Sequence, residues 1–269
     1  DHDGTVSVLR EGWEPVMQRV MVRAVLGQMP GGGSGASGPS AGPGASCSRE
    51  EVEQAVSALI SDTTGIQTIE QMHSLRDLIR NFGCVPESEI RSAEEYKRIY
   101  LEELHRMIDR RAEEVRRGML TSDDVTLKGA PGMLEALRGR GVSLFLASGS
   151  DHDAVEAEAK LLGYAHLFDG GIFGSVGDAE NDPKTVVLEQ ILNTIGDERA
   201  ERVVTFGDGP VEIRETKRRG GTAVGVASDE VRRHGLNIEK RKRLILADAD
   251  LIIPDFAEHD AVLEALFGA

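Results

Sequence analysis

Asp1 and Asp3 stand two positions apart at the start of the chain, followed by Gly4 and Thr5. In extended backbone, residues i and i+2 point to the same side. The two carboxylates would therefore meet a reactant together, as nucleophile and proton-transfer group. Gly4 lets the chain turn sharply just after them. The pattern alone is weak. Asp151-His152-Asp153 repeats the same three residues without the Gly-Thr turn, and most such pairs are solvated loop acids.

Three downstream settings give the pair partners. Ser148 follows the apolar run 142–147 and precedes Gly149 and Ser150. A hydroxyl and main-chain N–H groups at a strand end, just before a helix, make an oxyanion or phosphate cradle; the plain alternative is a capping serine. Lys184, in Asn181-Asp182-Pro183-Lys184-Thr185, falls at a helix start. Positive charge there opposes the helix dipole, so a bound phosphate or a group of carboxylates would explain it; a surface lysine is the competitor. Gly207-Asp208-Gly209-Pro210-Val211-Glu212 follows the run 202–206 and puts two acids at a glycine-rich turn. Such acids suit a hard cation bound through oxygen, against an N-capping Asp with a solvated Glu. If Asp1, Asp3, Asp208 and Glu212 converge, four negative charges face one lysine. Such a cluster cannot stay ionised and also receive an anionic phosphate without a divalent cation. Mg²⁺, which takes one or two carboxylates plus substrate oxygen, matches the inventory.

The elements that must position these residues fall into two textures. Helical spacing predicts helices over 11–28, from Ser48 (with Glu51, a capping box) to about 60, over 66–81 ending at Gly83, and over 89–117. Residues 12–120 thus read as an almost strand-free helical module. The stretch 30–46 is nearly all Gly, Ser, Ala and Pro and reads as a linker. It contains Gly33-Ser34-Gly35-Ala36-Ser37-Gly38, a dinucleotide fingerprint in letters only, because no βαβ unit surrounds it. From Pro131 onward helices and strands alternate: strands over 142–147, 171–173, 202–206, 222–226 and 251–254, with helices over 133–140, 154–162, 183–195, 211–219 and at the end. Asp182 would cap the helix over 183–195. The expected fold is α/β, a Rossmann-like parallel sheet with helices on both faces plus an all-helical domain. Its ligands would bind beyond the carboxyl ends of the strands. The domain expectation is a core of 1–11 and 125–269, with 12–124 as the helical insert.

The 269 residues carry a net charge of −15, which argues against nucleic acid or an anionic membrane as partner. The basic clusters Lys217-Arg218-Arg219 and Lys240-Arg241-Lys242-Arg243 read as solvated helix faces. Cys47 and Cys84 are too few for a disulfide framework and lack metal-ligand spacing, and no apolar run reaches membrane-spanning length. A cytoplasmic protein, monomer or homodimer, is the expectation. An apolar strand is expected ahead of Asp1.

In this order, Asp1-His2-Asp3-Gly4-Thr5, Ser148, Lys184 and Gly207 to Glu212 resemble the four motifs of the haloacid dehalogenase-like hydrolases. The helical insert is similar to the cap of phosphoglycolate phosphatase and β-phosphoglucomutase relatives. The resemblance implies that Asp1 attacks phosphorus and Asp3 serves as acid and base, while Ser148 and Lys184 hold the transferring oxygens. Mg²⁺ would be held by Asp1, the main-chain carbonyl of Asp3, Asp208 and Glu212. Thr5, Gly149, Arg10 and Gln67 are substrate-binding candidates. The implied activity is phosphatase action on a small phosphorylated metabolite. A phosphosugar mutase, or an inert binding module, is the alternative.

Overall fold

The computed structural model describes residues 1–29, 48–63, 68–175 and 183–268. The linker 30–46 with its fingerprint, Cys47, Gln67 and the proposed cap Asp182 lie outside the described residues.

Two compact units emerge: residues 1–11 with 108–269, and residues 12–107. The sequence expectation had put the second boundary near 124. The smaller unit is helical among its described residues, with α1 (Trp13–Val25), α2 (Arg49–Asp62), α3 (Thr68–Phe82) and most of α4 (Ala93–Arg116). Val16, Val20 and Tyr96, expected on apolar stripes from helical spacing, are buried in its core together with Val56, Met72 and Leu75. Ser48 takes the N-cap position of α2 in extended backbone, but its side chain makes no capping bond. The expected capping box is therefore absent. Cys84 is disulfide-bonded, so the cysteines lend the cytoplasmic expectation no support.

The larger unit is α/β. Its elements are α5 (Ala130–Gly139), β1 (Phe145–Asp151), α6 (His152–Leu161), β2 (Gly171–Ser175), α7 (Pro183–Ile195), β3 (Val204–Gly207), α8 (Pro210–Arg218), β4 (Thr222–Val226), α9 (Ile238–Leu246), β5 (Leu251–Ile253) and α10 (His259–Phe267). Every strand pair is parallel: β1 with β2, and β3 with β4 with β5. Parallel pairing requires a crossover between successive strands, and α6, α8 and α9 supply it. Ser148 lies within β1 rather than just past it. The register with β2 shifts between Ala147 and Asp151, so the strand continues irregularly through Ser148-Gly149-Ser150. The second Asp-His-Asp is accounted for locally: Asp151 caps α6 by accepting from the Asp153 N–H.

The two sheets do not pair with each other among the described residues. A cavity of about 860 Å³ separates β1 from β3, lined by Leu144, Leu146, Val204, Phe206 and, at one end, Asp1 and Lys184.

Candidate active site

The first motif is a tight loop. The His2 carbonyl accepts from the N–H groups of Val6 (2.9 Å) and Ser7 (3.0 Å), and Gly4 N–H donates to the Ser7 carbonyl at 2.9 Å. Gly4 makes this turn at φ +73°, a left-handed conformation that side-chain-bearing residues resist. The loop is fixed to the following chain by Val8 N–H to Val125 and Leu127 N–H to Val6. The main-chain nitrogen of Asp1 donates to the Phe206 carbonyl at 2.9 Å, which places Asp1 beside the carboxyl end of β3.

Asp1 is nearly enclosed, its side chain 2% exposed. One oxygen lies 2.9 Å from Lys184 Nζ and the other accepts from Thr5 Oγ1 at 2.9 Å. Lys184 is one residue into α7 and also lies 2.9 Å from Glu212 Oε2. Burial alone would lower the lysine pKa; Glu212 and Asp208 outweigh it and hold the pKa above its ordinary value. The cation at the helix start is thus explained by carboxylates, one of the two reasons open from the sequence.

Glu212 is 1% exposed, which rejects the solvated-acid alternative. Its other oxygen accepts from Gly209 N–H at 2.8 Å and so caps α8. A Cβ on Gly207 would lie 2.1 Å from Glu212 Cγ. Only glycine lets this side chain fold back over the turn. Asp208 is not the cap; Gly209 holds that position. One ligand atom from each of Asp1, Asp208 and Glu212 falls within 4.8 Å of the others. Three hard oxygen donors at that spacing fit a divalent cation such as Mg²⁺.

Asp3 turns to a different set of partners. Its Oδ2 accepts from Ser148 Oγ and Ser150 Oγ, each at 3.0 Å, and its Oδ1 lies 3.2 Å from Arg10 Nε. Burial pushes the Asp3 pKa up, but His2, Arg10 and Ser148 outweigh it and hold the carboxyl well below the usual carboxylate range. Its carboxylate lies outside the cation trio and groups with His2 and Glu158. Arg10 also pairs with Glu158 at 2.6 Å. Gly149 is exposed, and a Cβ there would lie 3.5 Å from Lys184 Cβ. This open loop of β1 therefore borders the lysine.

Sequence reasoning missed several participants. His2 is fully buried and shares a 2.8 Å hydrogen bond with Tyr164; Glu158 and Ser150 complete that side. Lys240, read as part of a solvated face, is 6% exposed and donates to Asp208 Oδ2 at 2.7 Å and Glu230 Oε1 at 2.6 Å. Its neighbours Arg241 and Lys242 are exposed as expected. The signal for Lys240 was there: like Lys184, it lies in the first turn of a helix, where a cation is locally unfavourable.

A family model for haloacid dehalogenase-like hydrolases matches residues 3–218. No curated protein matches the sequence. Similar solved structures include a predicted phosphoglycolate phosphatase from Haemophilus somnus 129PT (TM-score 0.59, 15% identity, covering 97% of this chain and 95% of that one). Another is a β-phosphoglucomutase from Clostridium difficile (TM-score 0.57, 16% identity, 98% and 93%). A third is a HAD hydrolase, family IA, variant 3, from Entamoeba histolytica HM-1:IMSS (TM-score 0.57, 18% identity, 96% and 92%). At these identities the likeness is one of fold. The extent of the family match establishes that the chain belongs to the haloacid dehalogenase-like hydrolases.

Proposed function

We propose that the protein is a Mg²⁺-dependent phosphatase of small phosphorylated metabolites, a sugar phosphate or phosphoglycolate-like acid, acting through an aspartyl-phosphate. The observation that carries this reading is Asp1: a nearly enclosed carboxylate held between Lys184 and Thr5, with Asp3 in the same loop. A carboxylate oxygen of Asp1 attacks phosphorus in line, and the P–O bond to the leaving group breaks. Asp3, ionised in the free protein, takes the proton that a monoanionic phosphate brings and passes it to the leaving oxygen. It then takes a proton from the water that attacks the same phosphorus, which frees Asp1 and releases inorganic phosphate. Thr5 and Lys184 orient Asp1 for that attack, and Lys184 offsets charge gathering on the phosphoryl oxygens. Ser148 and Gly149 border the place those oxygens would take. A divalent cation held by Asp1, Asp208, Glu212 and the Asp3 carbonyl would supply charge neutralisation for an anionic substrate.

The test is hydrolysis of para-nitrophenyl phosphate with Mg²⁺, with EDTA, and by Asp1→Asn. Mg²⁺-dependent release that EDTA and the substitution both abolish is the expected result. Release unaffected by either would refute the reading. A panel of phosphorylated metabolites then separates phosphate release from isomerisation of a hexose phosphate.

A further inference from the structure

Glu230 and Lys240 lie beyond the span matched by the family model, and the chemistry above gives neither a role. Lys240 is buried in the first turn of α9, where the N-cap Asn237 accepts from the main-chain N–H groups of Glu239 and Lys240. A cation there is disfavoured twice, by loss of water and by the helix dipole. Packing nevertheless drives it inward. Leu244, four residues on and so on the same helix face, is fully buried. It lies so close to β4 that a Cβ on Gly225 would be 3.0 Å from its Cδ1. With Leu244 locked on the sheet, the Lys240 ammonium reaches Asp208 Oδ2 and Glu230 Oε1. The first motif closes on the same atoms: a Cβ on Gly4 would stand 2.4 Å from Asp208 Oδ2 and 3.3 Å from Glu230 Oε1. One oxygen of Asp208 is therefore committed to Lys240.

We propose that Lys240 is an internal counter-cation that shares Asp208 with the divalent ion, holding the acid cluster together without metal and weakening metal binding, while Glu230 moderates its charge. This deepens the metal-dependent reading above and rests on it. A unit positive charge beside a dication repels it, and the effect is strong where water is excluded. Removing Lys240 lifts that repulsion and leaves two partly buried carboxylates in need of a counter-ion. Neutralising Glu230 instead leaves the ammonium wholly on Asp208. The two single substitutions should therefore act in opposite directions, and the double substitution restores the original charge.

Isothermal titration of Mg²⁺ and of Mn²⁺ into metal-stripped full-length protein reads this without any substrate. Lys240→Met should bind about tenfold more tightly than the unsubstituted protein, and Glu230→Gln about threefold or more weakly. The double variant should fall within about threefold of the unsubstituted protein. Metal-free Lys240→Met should melt lower and recover with Mg²⁺. Equal or weaker binding by Lys240→Met, or the same sign for both single variants, would overturn the proposal. If Lys240→Met does not fold, Glu230→Gln decides: unchanged or tighter binding overturns it. An unsubstituted protein that binds neither metal sinks the metal-dependent reading and this inference with it. Normal binding that Lys240→Met leaves unchanged sinks the inference alone.

Discussion

Arg10 Nε lies 3.2 Å from Asp3 Oδ1 while its NH2 group lies 2.6 Å from Glu158 Oε1, so one guanidinium joins the first motif to α6. Arg10 is a substrate-binding candidate from the sequence; its two ion pairs support positioning of Asp3 instead, which we propose as its role. Removing one partner of a mostly buried ion pair costs about 3 kcal/mol, because a carboxylate is left without its countercharge. Arg10→Met should lose about that much in denaturant unfolding, and Arg10→Met with Glu158→Leu should recover most of it. In steady-state kinetics Arg10→Met should lower kcat more than it raises KM. A rise in KM alone would return Arg10 to substrate recognition.

Asp3 can be separated from its scaffold. Asn keeps an oxygen to accept from Ser148 and Ser150 but cannot carry the proton. Asp3→Asn should lower the melting temperature only modestly, because Arg10 keeps Glu158 as a countercharge, and lower kcat by about 10²–10⁴. A large fall in stability with activity preserved would contradict the acid/base role.

Gly207 tests the turn that carries the acids. A Cβ there meets Glu212 Cγ at 2.1 Å, and the Glu212 carboxylate both caps α8 and pairs with Lys184. Gly207→Ala should cost about 1–3 kcal/mol from overpacking and reduce Mg²⁺ affinity, measured calorimetrically. An alanine variant with unchanged affinity would show that Glu212 is not a ligand.

Stability should also fall in acid, for identifiable reasons. Burial opposes ionisation of Asp3, Asp208 and Asp250, yet their partners outweigh it and hold all three pKa values below normal. A carboxylate with a depressed folded pKa stabilises above its unfolded pKa, about 3.9. That contribution is lost as pH falls through the folded value. Glu158 and Glu230 act oppositely, since burial raises their pKa values; protonating them relieves a cost. The melting temperature should therefore hold or rise slightly on mild acidification, then drop below about pH 4. Asp250 accepts from Ala223 N–H and from Lys217, away from the site. Asp250→Asn should flatten the acid limb with little change in activity, checked by melts from neutral pH downward.

Most of the order of elements was legible from the sequence because it follows local periodicity, but α9, between the strands over 222–226 and 251–254, was not placed. The helix over 183–195, the strand over 222–226 and the stop at Gly83 need only side-chain spacing and backbone preference. The four motifs were equally legible, since each is a short local run of residue types. What sequence could not supply were the long-range pairings: Thr5 turned back on Asp1, Arg10 across to Glu158, and Lys240 onto Asp208. Lys240 and Arg241 are adjacent cations on one helix, and only packing of Leu244 on β4 decides that the first is buried and the second exposed. Local patterns fix which chemistry a residue can do. Burial and charge pairing, set by segments distant in the chain, fix which of those residues hold one another in place.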